Sequence, residues 1–232
     1  MFLKSQILSR YPEIIHGFTT RKLGDNYARI AAEIGVSEND FFTPNQVHSS
    51  RVYFLSDLSD RSDSSDKKEG DAIVSRQKGI LLAVRTADCV PLLVYDPINK
   101  AVAAIHAGWR GLNAGIIENS IKMMQEKFLT DPKNLVVALG PALCPGCFEI
   151  GPEVAEAFRK KFGNRITVTS GKKDRYFVDL RKGCELALGD NGVMEEHLEF
   201  LPYCTACHRD LFYSYRNGDK EERMMGFIGL VD

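Results

Sequence analysis

From Ala72 onward the apolar residues come in short β-rich runs: Ala72 to Ser75, Ile80 to Val84, Leu92 to Tyr95 and Ala101 to His106. Each is bounded by Gly, Pro, Asp or Asn, the pattern of hairpins or a meander. The period then changes. In Leu112 to Phe128, Ile117, Ile121, Met124 and Phe128 share one helical face, while Glu118, Lys122, Gln125 and Glu126 lie off it. Leu135 to Leu139 reads as a strand, and Pro152 to Phe162 as a helix with Pro in its first turn. Tyr176 to Leu180 reads as a strand and Arg181 to Gly189 as a helix with Gly192 beyond it. Leu198 to Leu201, Leu211 to Tyr215 and Met225 to Leu230 read as terminal strands. Strands clustered between separated helices predict an α+β fold with mixed sheets rather than a regular βαβ alternation.

Composition removes several function classes. The 232 residues carry 30 Lys+Arg against 31 Asp+Glu, so no basic excess argues for nucleic acid. Purely apolar runs such as Gly79 to Val84 are far shorter than the roughly 18 to 20 residues of a membrane-spanning helix. The first residues, broken by Lys4, Arg10 and Glu13, do not form a secretory signal, which makes the cytoplasm the expected compartment. Ser56 to Asp71 is rich in serine and charge and reads as an exposed polar loop. No repeat or linker divides residues 1–232.

Six cysteines in such a chain read as thiols, metal ligands or a nucleophile rather than as a disulfide framework. Cys144-x-x-Cys147 and Cys204-x-x-Cys207 superficially fit a four-cysteine zinc site. The interval between them far exceeds the roughly 15 to 20 residues across which zinc ribbons pair their knuckles, so free thiols are the expectation there. Cys204-Thr-Ala-Cys207-His208 also matches a haem-attachment pattern, read as accidental for want of export and of a second axial ligand. Three other places put a His or Cys at a strand edge: Asn45-Gln-Val-His48, Thr86-Ala-Asp-Cys89 and Ala104-Ile-His106. Two imidazoles and a thiolate would make a three-ligand site with its fourth position open, as a catalytic metal requires. Spacing alone favours ordinary core residues at these positions.

A resemblance changes that balance. Gln46-Val-His48, Gly70-Asp71-Ala72-Ile73-Val74, Thr86-Ala-Asp-Cys89-Val-Pro91, His106-Ala-Gly-Trp-Arg110-Gly111 and Gly140-Pro141 through Cys147-Phe-Glu149-Ile-Gly151 occur in order. Asp179-Leu180, Cys204-Thr205 and Phe212-Tyr-Ser-Tyr-Arg216 follow. These eight blocks resemble the multicopper polyphenol oxidase, or laccase-domain, family, whose members look like zinc-dependent purine nucleoside phosphorylases. The resemblance implies one catalytic domain over residues 1–232, with mixed sheets in a layered α/β/β/α sandwich. It implies metal ligands and catalytic residues His48, Cys89 and His106, with zinc as the ion and copper as the alternative. It also implies purine nucleoside and inorganic phosphate as substrates, with adenosine deaminase and methylthioadenosine phosphorylase side activities.

Phosphorolysis needs arginines and N–H donors around an anion. Arg110, close after His106, suits that role, with Arg21 and Arg216 as further candidates and Gln46 beside them as a substrate-binding residue. The sole Trp, Trp109, could stack on a base or serve as a core aromatic. The family's Gly-rich stretch after Phe18-Thr-Thr-Arg21 is shortened here, which predicts an opened pocket and relaxed selectivity. A cysteine hydrolase with Cys89 as nucleophile and His106 as base would use the same residues without a metal, and the resemblance also implies, as an alternative on the same fold, editing of peptidoglycan precursors. A non-enzymatic module held by the four CxxC cysteines is a third alternative.

Overall fold

The computed structural model describes residues 1–56 and 69–231. In chain order its strands are β1 (Phe2–Leu3), β2 (Ile14–Thr19), β3 (Phe41–Phe42), β4 (Val52–Phe54), β5 (Ala72–Ser75), β6 (Leu81–Thr86), β7 (Val90–Asp96), β8 (Ala101–Ala107), β9 (Val136–Leu139), β10 (Glu149–Ile150), β11 (Val168–Ser170), β12 (Tyr176–Val178), β13 (Leu198–Phe200) and β14 (Met224–Leu230). The helices are α1 (Tyr27–Ile34), α2 (Trp109–Ala114), α3 (Ile116–Phe128), α4 (Pro152–Phe162) and α5 (Leu180–Asp190).

Two large sheets stack. One has the order β1-β2-β14-β6-β3 and the other β13-β9-β7-β8-β5-β4; a small antiparallel sheet, β10-β12-β11, stands beside them. Period-2 alternation explains the layering, because each central strand is apolar on both faces. Leu92, Val94, Ala103 and Ile105 pack with Ile117, Ile121, Met124 and Phe128 of α3, whereas Leu93, Tyr95, Val102 and Ala104 pack with Phe18, Leu82, Val84 and Ile228 between the sheets. Leu81, Ala83, Met225 and Phe227 pack on the outer side with Ile30 and Ala31 of α1. The result is the α+β fold expected, layered α/β/β/α.

Several elements differ from their sequence-based expectations. Leu112 to Phe128 is two helices, because Gly115 at φ +92° takes a left-handed conformation that ends α2 and starts α3. The strand at Tyr176 stops at Val178, since the Asp179 carboxylate accepts the Arg181 and Lys182 amides and caps α5. Leu211 to Tyr215 is not a strand: the amides of Leu211 and Phe212 both donate to the His208 carbonyl in a turn. The polar stretch Ser56 to Asp71 falls largely on residues 57–68, outside the described residues; of the rest, Ser56 and Glu69 are exposed, as expected, while Gly70 and Asp71 are buried.

Candidate metal centre and cleft

His106 lies at the C-terminal end of β8, in phase with Val102 and Ala104, and therefore emerges where the two sheets part. Cys89 closes the turn from β6 to β7, just after Asp88 at φ +89°. That strained turn is held from elsewhere in the chain. Thr205 Oγ1 and the Arg216 amide donate to the two Asp88 carboxylate oxygens at 2.6 and 2.8 Å.

His48 also has a left-handed backbone, φ +58°, unusual outside glycine. Its conformation is imposed by Asp71, which is fully buried. The Asp71 carboxylate accepts the amides of Val47, His48 and Ser49 at 3.2, 3.0 and 2.6 Å and the Ser49 hydroxyl at 2.8 Å. The same carboxylate lies 2.8 Å from His106 Nδ1. A proton on Nδ1 leaves Nε2 as the free lone pair, the arrangement that fixes a metal-ligating imidazole through a carboxylate.

The ligating atoms of His48, Cys89 and His106 all lie within 4.8 Å of one another, with Cys89 Sγ 3.9 Å from His48 Nε2. Gly108 leaves the room they share. A Cβ there would approach His48 Cδ2 to 2.9 Å and Cys89 Sγ to 3.1 Å. Two imidazoles and one soft thiolate suit zinc or copper, and three protein donors leave one position for substrate. The residues present therefore fit a metal ion.

Electrostatics point the same way. Burial pushes the Cys89 thiol up, but the adjacent His106 and His48 outweigh it and bring it down to about 6. Burial pushes His106 down, and the Cys89 and Asp71 charges raise it to about 9. Asp71, despite burial, is held at about 2 by the bonds from His106 and Ser49. The two imidazoles thus favour the Cys89 thiolate, the protonation state in which a cysteine ligates.

The three donors open onto a cleft of about 560 Å³. Four guanidinium groups line it, from Arg85, Arg110, Arg216 and Arg223, with the aromatic side chains of Phe148 and Tyr215. The Arg110 guanidinium lies 4.5 Å from the Trp109 ring, and Trp109 packs against the main core as a structural aromatic, away from the cleft lining. Arg216 donates from Nη2 to the Glu149 carbonyl at 2.9 Å.

Two expected substrate residues behave differently. Gln46 lines the cleft, but both ends of its amide bond the Arg85 backbone at 2.8 Å, so it ties the His48 loop to β6. Arg21 does not line the cleft. Its guanidinium lies 4.8 Å from the Tyr213 ring and donates to the Arg209 carbonyl. Sequence reasoning left Asp71, Arg85, Gly108 and Arg223 out of the site. Asp71 had a signal, a carboxylate directly before the apolar run Ala72 to Val74; for Arg85, on β6, and Arg223, just before β14, periodicity offers none.

The four CxxC cysteines are free thiols, as expected, but their long sequence interval does not keep the two pairs apart. Cys144, Cys147, Cys204 and Cys207 converge, their Sγ atoms all within 4.8 Å of one another. Their sequence interval is spanned by α4, the small sheet and α5, after which β13 pairs parallel to β9, Phe200 opposite Leu139. Both CxxC segments thus leave the same end of one sheet.

A triad of metal-type donors lies beside an arginine-lined cleft at the open edge of a double-sheet sandwich, an arrangement whose chemistry suits an anion next to a metal ion. The chain belongs to the family described as Multi-copper polyphenol oxidoreductase laccase, whose model matches residues 18–231. It is 32% identical over 251 aligned positions to a purine nucleoside phosphorylase of Bacteroides thetaiotaomicron, covering 95% of this chain and 93% of that one. Adenosine deaminase RL5, from an unknown prokaryotic organism, is 34% identical over 193 positions, 81% of this chain and 73% of that one. The crystal structure of YlmD from Geobacillus stearothermophilus matches with a TM-score of 0.90 at 25% identity, over 100% of this chain and 96% of that one.

Proposed function

We propose that residues 1–232 form one cytoplasmic catalytic domain, a zinc-dependent purine nucleoside phosphorylase with adenosine deaminase activity. The observation that carries this reading is the juxtaposition of His48, Cys89 and His106 with four arginines on one cleft. The names of the relatives, purine nucleoside phosphorylase and adenosine deaminase, support it.

His48, Cys89 and His106 would hold the ion, which supplies Lewis acidity and activation of water when bound. The arginines bind phosphate as a polyanion and align it for attack at C1′ of the nucleoside, where the bond to the purine nitrogen breaks. Tyr215 and Phe148 offer apolar faces for the base. Asp71 keeps the His106 proton on Nδ1 and the His48 loop in place. No helix among the described residues is long and apolar enough to cross a membrane.

The shortened segment after Arg21 runs through a turn into α1, with Asp25 3.8 Å from Arg85 at the cleft. Few polar groups are left to discriminate bases, so adenosine, inosine, guanosine and methylthioadenosine should be accepted within about one to two orders of magnitude in kcat/KM. A steady-state comparison of the four with phosphate tests the proposal. Strict selectivity would refute the open cleft, and turnover of none would refute the substrate class.

One observation favours a second reading. Cys89, His106 and Asp71 are arranged as nucleophile, base and orienting carboxylate, as a cysteine hydrolase requires. Such an enzyme, including one that edits peptidoglycan precursors, would keep its activity under chelation and lose it to iodoacetamide at Cys89.

A further inference from the structure

Outside the cleft, the four cysteines of the two CxxC segments form a cluster that the proposed reaction does not use. None of them lines the cleft. Cys147 Sγ and Cys207 Sγ are 3.5 Å apart, and all four sulfurs lie within 4.8 Å of one another. Four sulfurs about 2.3 Å from a common zinc ion sit about 3.8 Å from each other, so this spread encloses the tetrahedron of a thiolate site.

The backbone on both sides is shaped for it. Cys144 starts a tight turn in which the Cys147 and Phe148 amides donate to its carbonyl at 3.0 and 3.1 Å, bringing both thiols of the first pair to one side. In the second pair the Cys204 carbonyl accepts from the His208 amide at 3.0 Å. A bridge between Ala142 and Cys204 joins the arms, and the Cys144 amide points at Cys204 Sγ at 3.3 Å. A half-buried cation stands close by. Arg181 donates to the carbonyls of Ala142, Leu201 and Tyr203, the residues that lead into the two arms, where it offsets the negative charge of a tetrathiolate.

We propose that Cys144, Cys147, Cys204 and Cys207 bind a second, structural zinc ion that fastens one wall of the cleft. Four protein donors close the coordination shell, as in structural and unlike catalytic zinc sites. The wall it fastens is defined. Leu143 and Phe148 line the cleft on either side of the first arm, and Thr205, inside the second, holds Asp88 beside Cys89. Asn217, next to Arg216, donates from Nδ2 to the Ala206 carbonyl at 2.9 Å within the same arm.

Elemental analysis of the full chain, purified without chelator, distinguishes the two sites. The wild type should hold about two zinc ions, the Cys89→Ala variant about one, and the Cys147→Ser and Cys207→Ser variants about one. Cobalt provides a readout that needs no change to the cluster: Cys89→Ala loaded with cobalt should show the intense thiolate charge-transfer and tetrahedral ligand-field bands of a four-sulfur site. Failure of the cleft site alone would leave the cluster ion in place. Four outcomes overturn the proposal: no metal in Cys89→Ala, iron in place of zinc, free reaction of the four thiols with a disulfide reagent in the native protein, or a mass lowered by the hydrogens lost on disulfide formation.

Discussion

Replacing Asp71 by Asn exchanges one carboxylate oxygen for an NH₂ group in a fully buried position that receives donors on both sides. If the NH₂ faces Val47 and Ser49, it meets two amides and the Ser49 hydroxyl, and the left-handed His48 loses its support. If it faces His106, Nδ1 can no longer donate, and the proton moves to Nε2, the atom needed for a metal. Neither rotamer satisfies both sides. Loss of charge-assisted bonds with an unpaired buried donor left behind should cost about 3 to 5 kcal/mol. For a chain of this size that lowers Tm by roughly 6 to 20 °C. Affinity for zinc at the cleft should fall roughly 10- to 100-fold, as when an orienting partner of a metal ligand is removed. Calorimetry gives the first quantity and competition against a chromophoric chelator the second. An Asp71→Asn variant that melts with the wild type and binds zinc equally well would refute the role assigned to this carboxylate.

Gly108→Ala would put a methyl 2.9 Å from His48 Cδ2 and 3.1 Å from Cys89 Sγ, so zinc affinity at the cleft should fall by roughly tenfold or more, read by the same competition assay. Unchanged affinity would mean the three donors need no such clearance. Arg223→Ala removes a guanidinium from the cleft and should raise KM for phosphate about tenfold, whereas Arg21→Ala, bonded elsewhere, should leave it within about twofold; equal effects would overturn the assignment. His16 gives a pH signature. Burial pushes it down to about 4, with Lys4 adding to the shift and the Ser5 backbone and Glu199 opposing it. Because the folded pKa lies below the unfolded value of about 6.5, this stability is complete above pH 6.5 and declines by about 3 kcal/mol as pH falls toward 4. Denaturant titrations should show a shallower loss over that window in His16→Phe, and parallel curves would contradict it.

The parts of the fold legible in the sequence were those with an unbroken local signal. The fully buried β7 and β8 could be read because Leu92 to Tyr95 and Ala101 to Ile105 carry no competing polar phase, and α4 announced itself by Pro152. Gly115 was missed as a break because Ile117, Ile121, Met124 and Phe128 keep helical phase by themselves. Leu211 to Tyr215 looked like a strand because Phe212, Tyr213 and Tyr215 are β-favouring aromatics, yet the His208 carbonyl takes the Leu211 and Phe212 amides in a turn. Asp71 was assigned to a solvated loop on local charge, although its partners lie on the 47–49 loop and on β8. The cysteine cluster depends on parallel pairing of β13 with β9, a long-range register that no spacing rule encodes.

The central claim, that a metal held by His48, Cys89 and His106 and the arginines of the cleft cleave nucleosides with phosphate, is tested most directly by following inosine and phosphate by ³¹P NMR. The protein is compared as isolated, after chelation, and after zinc is restored. The account predicts ribose 1-phosphate from the isolated and restored protein and none after chelation. Undiminished product after chelation, or free ribose formed without consumption of phosphate, would contradict it.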